Sequence, residues 1–273
     1  MTLRAAVIDI DGTVVRGDEL LPGAASGIHL LRDAGFELLF LSNNPTKTSA
    51  GYAARLRELG IDVDDDEVLT SANATADYLA SEHPDDQLFV IGSAPLRSLF
   101  DERGLTIVED PETADAVIVS FDHQFDYSDL TNALWAIQGG ADLIGTDPDR
   151  SVPAADDRLV PGSGAIIQAV AAAAERDPDR VLGKPSRATA DLALSHLGVA
   201  AAECLVIGDR LTTDIALGER AGMKTALVLT GVTDRSDLDR DGGRGGISPD
   251  YVLESLGDVD RLLSDEESSI EID

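Results

Sequence analysis

Residues 5–17 read AAVIDIDGTVVRG, and the fold is decided in this stretch. Ala6, Val7, Ile8 and Ile10 form the short apolar run of a buried strand, and Gly12 and Thr13 turn the chain straight after it. Asp9 and Asp11 therefore stand where a strand gives way to a loop. Carboxylates that close repel one another, and burying them uncompensated costs several kcal/mol or forces one to take a proton. A positive partner is expected between them. On this stretch alone three readings are open: an acidic turn, a calcium loop, or a carboxylate nucleophile at Asp9 with an acid/base at Asp11, arranged around a hard cation such as magnesium. The calcium loop fits least, because such loops place glycine sixth and Gly12 stands fourth.

Outward from this strand the pattern alternates. Leu21-Pro22-Gly23 opens a helix with Ile28, Leu30 and Leu31 at helical spacing, and Gly35 stops it. Residues 37–41 form a second strand ending in Ser42-Asn43-Asn44-Pro45, and a helix capped at Thr46 or Thr48 carries Tyr52, Leu56 and Leu59 on one face. This β-α-β-α order predicts an α/β, doubly wound parallel sheet. Such sheets bind ligands beyond the carboxyl ends of their strands, so Ser42 and Asn43 are candidate donors to phosphate oxygens as well as ordinary turn and cap residues.

From residue 87 to 180 the alternation restarts, with strands at 88–91, 116–119 and 143–144 and helices at 94–100 and 128–138. Trp135 and the cluster Phe121, Phe125 and Tyr127 suggest a separate small core, hence an inserted second domain. Gly162-Ser163-Gly164 resembles part of a dinucleotide fingerprint but lacks the third glycine and a preceding βα unit, which makes it a tight loop before a helix at 165–174. Residues 181–185, VLGKP, then deliver Lys184 to a strand end, in a chain whose only other lysines are Lys47 and Lys224. Residues 205–209, LVIGD, are another buried strand, ending in Asp209. Asp214 follows near the first turn of a helix, where the helix dipole favours a carboxylate. A strand at 225–229, a Gly-rich loop at 241–246, a strand at 251–253 and a helix to 263 close the pattern. The expected division is a core formed by 1–82 and 181–263, a smaller inserted domain at 83–180, and an acidic disordered tail at 264–273.

The bulk numbers narrow the partners. With 273 residues and 43% hydrophobic content the chain can bury a real core. Acidic residues number 51 against 21 basic, for a formal net charge of -30, so nucleic acid and anionic membranes are poor partners. The acid is spread over every segment instead of forming a block, which fits a halophilic protein working in concentrated salt, where the Debye length shrinks to about 3 Å at 1 M. Cys204 cannot form an internal disulfide and fits a reducing cytosol. No apolar run approaches the roughly 20 residues of a membrane span, and the first strand begins too early for a signal peptide, so a cytoplasmic protein is expected.

Four strand ends thus carry Asp9/Asp11, Ser42/Asn43, Lys184 and Asp209/Asp214, and a parallel sheet gathers such ends in one crevice. Three carboxylates can hold magnesium, a lysine can balance nucleophile and phosphate charge, and a hydroxyl and an amide can orient phosphoryl oxygens while Asp9 attacks in line. The chain resembles the haloacid dehalogenase-like (HAD) superfamily, whose four motifs match in order: DIDGT at 9–13, LSNN at 41–44, GKP at 183–185 and GDRLTTD at 208–214. GTDPD at 145–149 and PGSGA at 161–165 look like the α/β cap of the para-nitrophenylphosphatase and pyridoxal-phosphate phosphatase branch.

The resemblance implies a Rossmann-like core with an inserted cap, and a phosphatase that hydrolyses a small phosphate monoester. It implies Asp9 as the nucleophile forming an aspartyl-phosphate and Asp11 as acid, then base. Mg2+ would be held by Asp9, the backbone carbonyl of Asp11 and Asp209, with Asp214 in support. Ser42, Asn43 and Lys184 would bind the transferring phosphate. A dehalogenase lacks the second aspartate, so Asp11 favours the phosphatase. Asp147 stands where branch members often carry asparagine, and His123 lies near where others place charged cap residues, although a packed or solvated histidine accounts for it. His29, His83 and His196 have no second ligand at metal spacing. The expected partner is a small phosphorylated metabolite, with a homodimer through the cap as the pairing the branch implies. The alternatives are a phosphomutase on the same fold, or a phosphoacceptor or binding protein that does not turn over.

Overall fold

The computed structural model describes residues 2–153, 158–239 and 246–263. The chain forms two compact units: Met1–Ser42, Ser49–Leu69 and Thr189–Asp273 make the first, Asn43–Thr48 and Thr70–Ala188 the second.

Alternation in the opening strand explains the first unit. Ala6 and Ile8 of strand Ala5–Asp9 pack with Phe40, Tyr52 and Leu56 on one face, while Ala5 and Val7 pack with Leu39, Leu41, Ala190 and Leu217 on the other. A strand apolar on both faces needs cover on both sides, which is the condition for a buried parallel sheet. The sheet has six strands in the spatial order Tyr251–Leu253, Lys224–Val228, Cys204–Gly208, Ala5–Asp9, Glu37–Ser42 and Val68–Thr70. The pairings from Tyr251–Leu253 through to Glu37–Ser42 are all parallel. Register places Ile8 opposite Ile207 and Asp9 opposite Leu41, so Asp9, Ser42 and the residue after Gly208 all lie at the carboxyl edge. A small antiparallel hairpin, Val15–Arg16 with Glu19–Leu20, follows the Asp11 turn at once.

The second unit has its own parallel sheet, in the order Arg180–Val181, Asp142–Gly145, Ala116–Val119, Gln87–Ile91 and Thr106–Val108. Phe89, Ile91, Val117, Val119 and Leu143 meet Ala133 and Ile137 of helix Tyr127–Gly139 and Ile167 and Val170 of helix Ser163–Ala174. The opposite face meets Ala76 and Leu79 of helix Ser71–Glu82 and Leu96 and Phe100 of helix Ala94–Glu102.

Two expectations change. The aromatic cluster is not the core of the second unit: Tyr127 is 83% exposed and Trp135 54%, only Phe125 packs against the core, and that core is formed mainly by aliphatic side chains with Phe89 and Phe100. His123 meets the Phe121 ring edge-on, with centroids 4.6 Å apart. Helix Ser71–Glu82 and the Lys184 segment, grouped by sequence with the core, both fall in the second unit. Most of the 241–246 loop and the whole of 264–273 lie outside the described residues.

Cys204 is buried, and burial pushes its thiol up to about 12, which leaves it a core residue. Among the described residues no helix is long and apolar enough to cross a membrane.

Candidate active site

At the carboxyl edge of the first unit's sheet, three aspartates converge. Asp9 closes its strand, Asp209 follows Gly208, and Asp214 sits in the wide turn Leu211–Ile215. One carboxylate oxygen from each lies within 4.8 Å of the others, and all three residues are buried. Thr13 Oγ1 donates to Asp9 Oδ2 at 3.0 Å, the Val232 amide to Asp209 Oδ2 at 2.5 Å, and the Arg210 amide to Asp214 Oδ2 at 3.1 Å. Backbone presses closely around them. A Cβ on Gly12 or Gly231 would lie 2.6 or 1.8 Å from Asp209 Oδ2, and one on Gly208 2.3 Å from the Asp214 side chain, so only glycine fits at these positions. Three carboxylates in so small a buried volume favour a positive partner or a shared proton, and an all-oxygen donor set suits a hard divalent cation such as magnesium.

Asp11 behaves differently. Its carboxylate is held by hydroxyl groups: Tyr52 donates to Oδ2 at 2.7 Å, and Ser42 Oγ lies 3.1 Å from the Tyr52 hydroxyl and 3.4 Å from the same Asp11 oxygen. Arg55 Nη1 stands 3.5 Å from Oδ1. Burial, and then the Asp11 charge, holds the Tyr52 hydroxyl well above the ordinary tyrosine range, so it remains a donor. Helix Ser49–Glu58 supplies both residues at a spacing of three, one helical turn, which brings them to the same face.

In the second unit Lys184 is fixed through its main chain. Asn43 Oδ1 accepts from the Lys184 amide at 2.7 Å, and Asn43 Nδ2 donates to the Lys184 carbonyl at 3.0 Å and to Asp149 Oδ2 at 3.4 Å. The Ser71 hydroxyl donates to the Asn43 carbonyl at 2.7 Å. Gly183, at φ +66, lets this loop approach: a Cβ there would lie 2.8 Å from Asn43 Oδ1 and 3.0 Å from the Thr146 carbonyl. Beside it Asp147 is buried, accepting from Thr146 Oγ1 at 3.0 Å and from the Asp149 amide at 3.2 Å. Burial pushes its carboxyl up to about 7, and the charge of Asp149 adds to the rise. Gly162 and Gly164 have a packing role, since a Cβ on either would meet the Asp149 or Pro148 carbonyl at 2.4 or 2.3 Å.

The first unit therefore gathers Asp9, Asp209 and Asp214 and places Ser42 with Asp11, while the second joins Asn43 to Lys184. Sequence reading did not single out Arg55 or Asp149 and took Tyr52 only as a core position. Tyr52 is indeed wholly buried, and nothing in a helical apolar spacing announces where its hydroxyl goes. A tyrosine and an arginine three apart in the helix that follows a strand-end hydroxyl was the available signal.

Comparison with known proteins adds the family. A model described as haloacid dehalogenase-like hydrolase matches residues 6–106, and one described as HAD-hydrolase-like matches 181–259. The chain is 36% identical over 259 residues to the sugar-phosphatase AraL of Bacillus subtilis, covering 95% of this chain and 93% of that protein. It is 35% identical over 256 residues to an acid sugar phosphatase of Staphylococcus aureus, covering 94% and 96%. A solved p-nitrophenyl phosphatase from Archaeoglobus fulgidus superposes with a TM-score of 0.89 at 37% identity, covering 96% of this chain and all of that one.

Proposed function

The chain belongs to the haloacid dehalogenase-like hydrolases and is a phosphatase of their p-nitrophenylphosphatase-like branch, and from that premise we propose that it hydrolyses small phosphate monoesters through an aspartyl-phosphate on Asp9. The observation that supports this reading is the buried convergence of Asp9, Asp209 and Asp214, an all-carboxylate donor set of the kind that holds a hard divalent cation opposite an anionic substrate. Asp9, the Asp11 carbonyl and Asp209 would hold Mg2+, with Asp214 in support. The ion, when bound, supplies charge neutralisation for the phosphoryl oxygens.

Asp9 attacks phosphorus in line while Ser42, Asn43 and Lys184 serve the phosphoryl oxygens. Asp11 gives its proton to the departing alkoxide, then takes one from the water that cleaves the acyl phosphate. The names of the curated relatives support a sugar phosphate as the ester. The inserted unit acts as the cap that excludes water and selects substrate. A buried, inert Cys204 is compatible with a reducing cytosol.

The test is phosphate release from a panel of small esters, with Mg2+ in molar KCl, for the native protein and Asp9→Asn. Catalytic turnover that is lost in the variant supports the reading. Stoichiometric release from every ester, with a trapped acyl phosphate, would replace it with a phosphoacceptor.

A further inference from the structure

Asp11 sits in a well-fixed backbone but on a half-exposed side chain. The Gly12 amide donates to the Val15 carbonyl at 2.8 Å and the Val14 amide to the Ile10 carbonyl at 2.9 Å, so the turn is tied down on both sides of it. The Asp11 side chain is nevertheless 48% exposed, and a carboxyl group on a short stem can rotate unless something holds it. Among the described contacts, the groups that touch its carboxylate are Ser42 Oγ, the Tyr52 hydroxyl and the Arg55 guanidinium. Tyr52 cannot move to release it: the ring is wholly buried among the apolar residues that include Ile10, Val14 and Val15. Arg55 is anchored as well, since its Nη2 donates to the Gly17 carbonyl in the turn of the small hairpin.

We propose that Tyr52 and Arg55 are the positioning residues of Asp11: Tyr52 occupies Oδ2 and Arg55 steers Oδ1, so that Oδ1 carries the proton transferred in the reaction. In the first half-reaction an Asp9 oxygen bonds to phosphorus and the ester P–O bond breaks. The leaving oxygen takes the proton from Asp11 Oδ1 and departs as the alcohol, leaving Asp11 as carboxylate. In the second, water gives a proton to Oδ1, its oxygen bonds to phosphorus, and the P–O bond to Asp9 breaks, releasing phosphate. Tyr52 touches no reacting atom. It acts by denying the proton the wrong oxygen and the side chain the wrong rotamer.

This inference rests on the acid role proposed for Asp11 above, and the leaving group separates the two. An alkyl phosphate, such as a sugar phosphate, needs its leaving oxygen protonated, whereas p-nitrophenolate leaves unaided. Because kcat/KM reports events only up to leaving-group departure, it is measured for both esters with the native protein, Asp11→Asn, Tyr52→Phe, Arg55→Gln and Arg55→Lys.

The expected result is that Tyr52→Phe lowers kcat/KM for the alkyl ester about 10- to 100-fold and for the aryl ester less than about 3-fold, a weaker copy of the Asp11→Asn pattern. Arg55→Gln should show the same selectivity, and Arg55→Lys should restore most of it. If Tyr52→Phe fails to fold, the Arg55 pair carries the reading alone. Equal losses on both esters, or none on either, would overturn the positioning role while a selective Asp11→Asn kept the acid role standing. An Asp11→Asn variant without selectivity would overturn both.

Discussion

The two units hold their charged groups by opposite means. In the first, carboxylates stand at the ends of buried strands, and backbone closes around them: Gly12, Gly208 and Gly231 leave no room for a Cβ beside Asp209 or Asp214. In the second, the charged residue is a lysine, and what is gripped is its peptide, with both ends of the Asn43 amide engaged by the Lys184 main chain. The difference follows from what each charge must do. Three anions that repel one another have to be set by a rigid frame before any cation arrives. A lysine adds a flexible four-carbon stem, and the Asn43 contacts fix the root from which it starts.

The largest effect should come from the frame's central carboxylate. Asp9→Asn is isosteric and removes one of three repelling charges, so the protein should fold as well or better. Its turnover should nevertheless drop on the order of 10⁴-fold or more, as measured by phosphate release under single-ester saturation. Wild-type-like turnover would show that the carboxylate frame is structural.

Next comes the lysine's anchor. Asn43→Ala leaves the Lys184 amide and carbonyl without their side-chain partner, which should destabilise the protein by about 1–3 kcal/mol in denaturant titration and lower kcat roughly 10- to 100-fold. Asn43→Asp should be no better than alanine. It restores an acceptor for the Lys184 amide but sets a second oxygen against Asp149 and the Lys184 carbonyl, now 3.4 and 3.0 Å from Nδ2. Recovery in Asn43→Asp would break the comparison, since it would mean that the amide's donating end does nothing.

Asp147 sharpens it further, as a buried carboxyl in the unit that has no carboxylate cage. Burial lifts its carboxyl to about 7 in the folded protein, above the ordinary carboxylate range, so the folded state keeps a proton that the unfolded chain has already lost. Stability is therefore greatest below about pH 4 for this group, falls as pH rises towards 7, and is level above that. The shift sets a ceiling of about 4 kcal/mol, and Asp147→Asn should recover part of it at pH 8 while flattening the profile between pH 4 and 7. Thermal unfolding of both proteins across that range measures it, and parallel profiles would sink the assignment.

The smallest and most diffuse effect is that of salt. With a net charge of -30, removing KCl should lower the melting temperature by several degrees through unscreened repulsion. Unchanged melting down to millimolar salt would dispose of the halophilic reading.

Much of this frame was legible because a parallel sheet converts strand ends into neighbours. An apolar run ending in Asp9, another ending in Ser42 and a third followed by Asp209 were enough to foresee a shared edge, and register bears that out for Asp9 and Ser42. What stayed hidden is what depends on contacts across long separations or on polar tips of apolar residues. The Asn43 grip on Lys184 joins positions 141 apart, and a turn asparagine at 43 looks the same with or without it. Tyr52 was legible as core by its helical spacing, but burial of a ring says nothing about its hydroxyl. Short elements were also missed, such as Val68–Thr70 and Thr106–Val108, because three residues carry too little pattern to distinguish a strand from a loop.

The state of Cys204 has a practical consequence. A thiol that is buried, and that burial holds in its protonated form, is shielded from maleimides at neutral pH, so labelling of the native chain should be slow. A fluorophore or spin label can therefore be attached at an introduced surface cysteine without first mutating the native one. A pair of such labels, one in each unit, would give their separation directly with and without a phosphate ester.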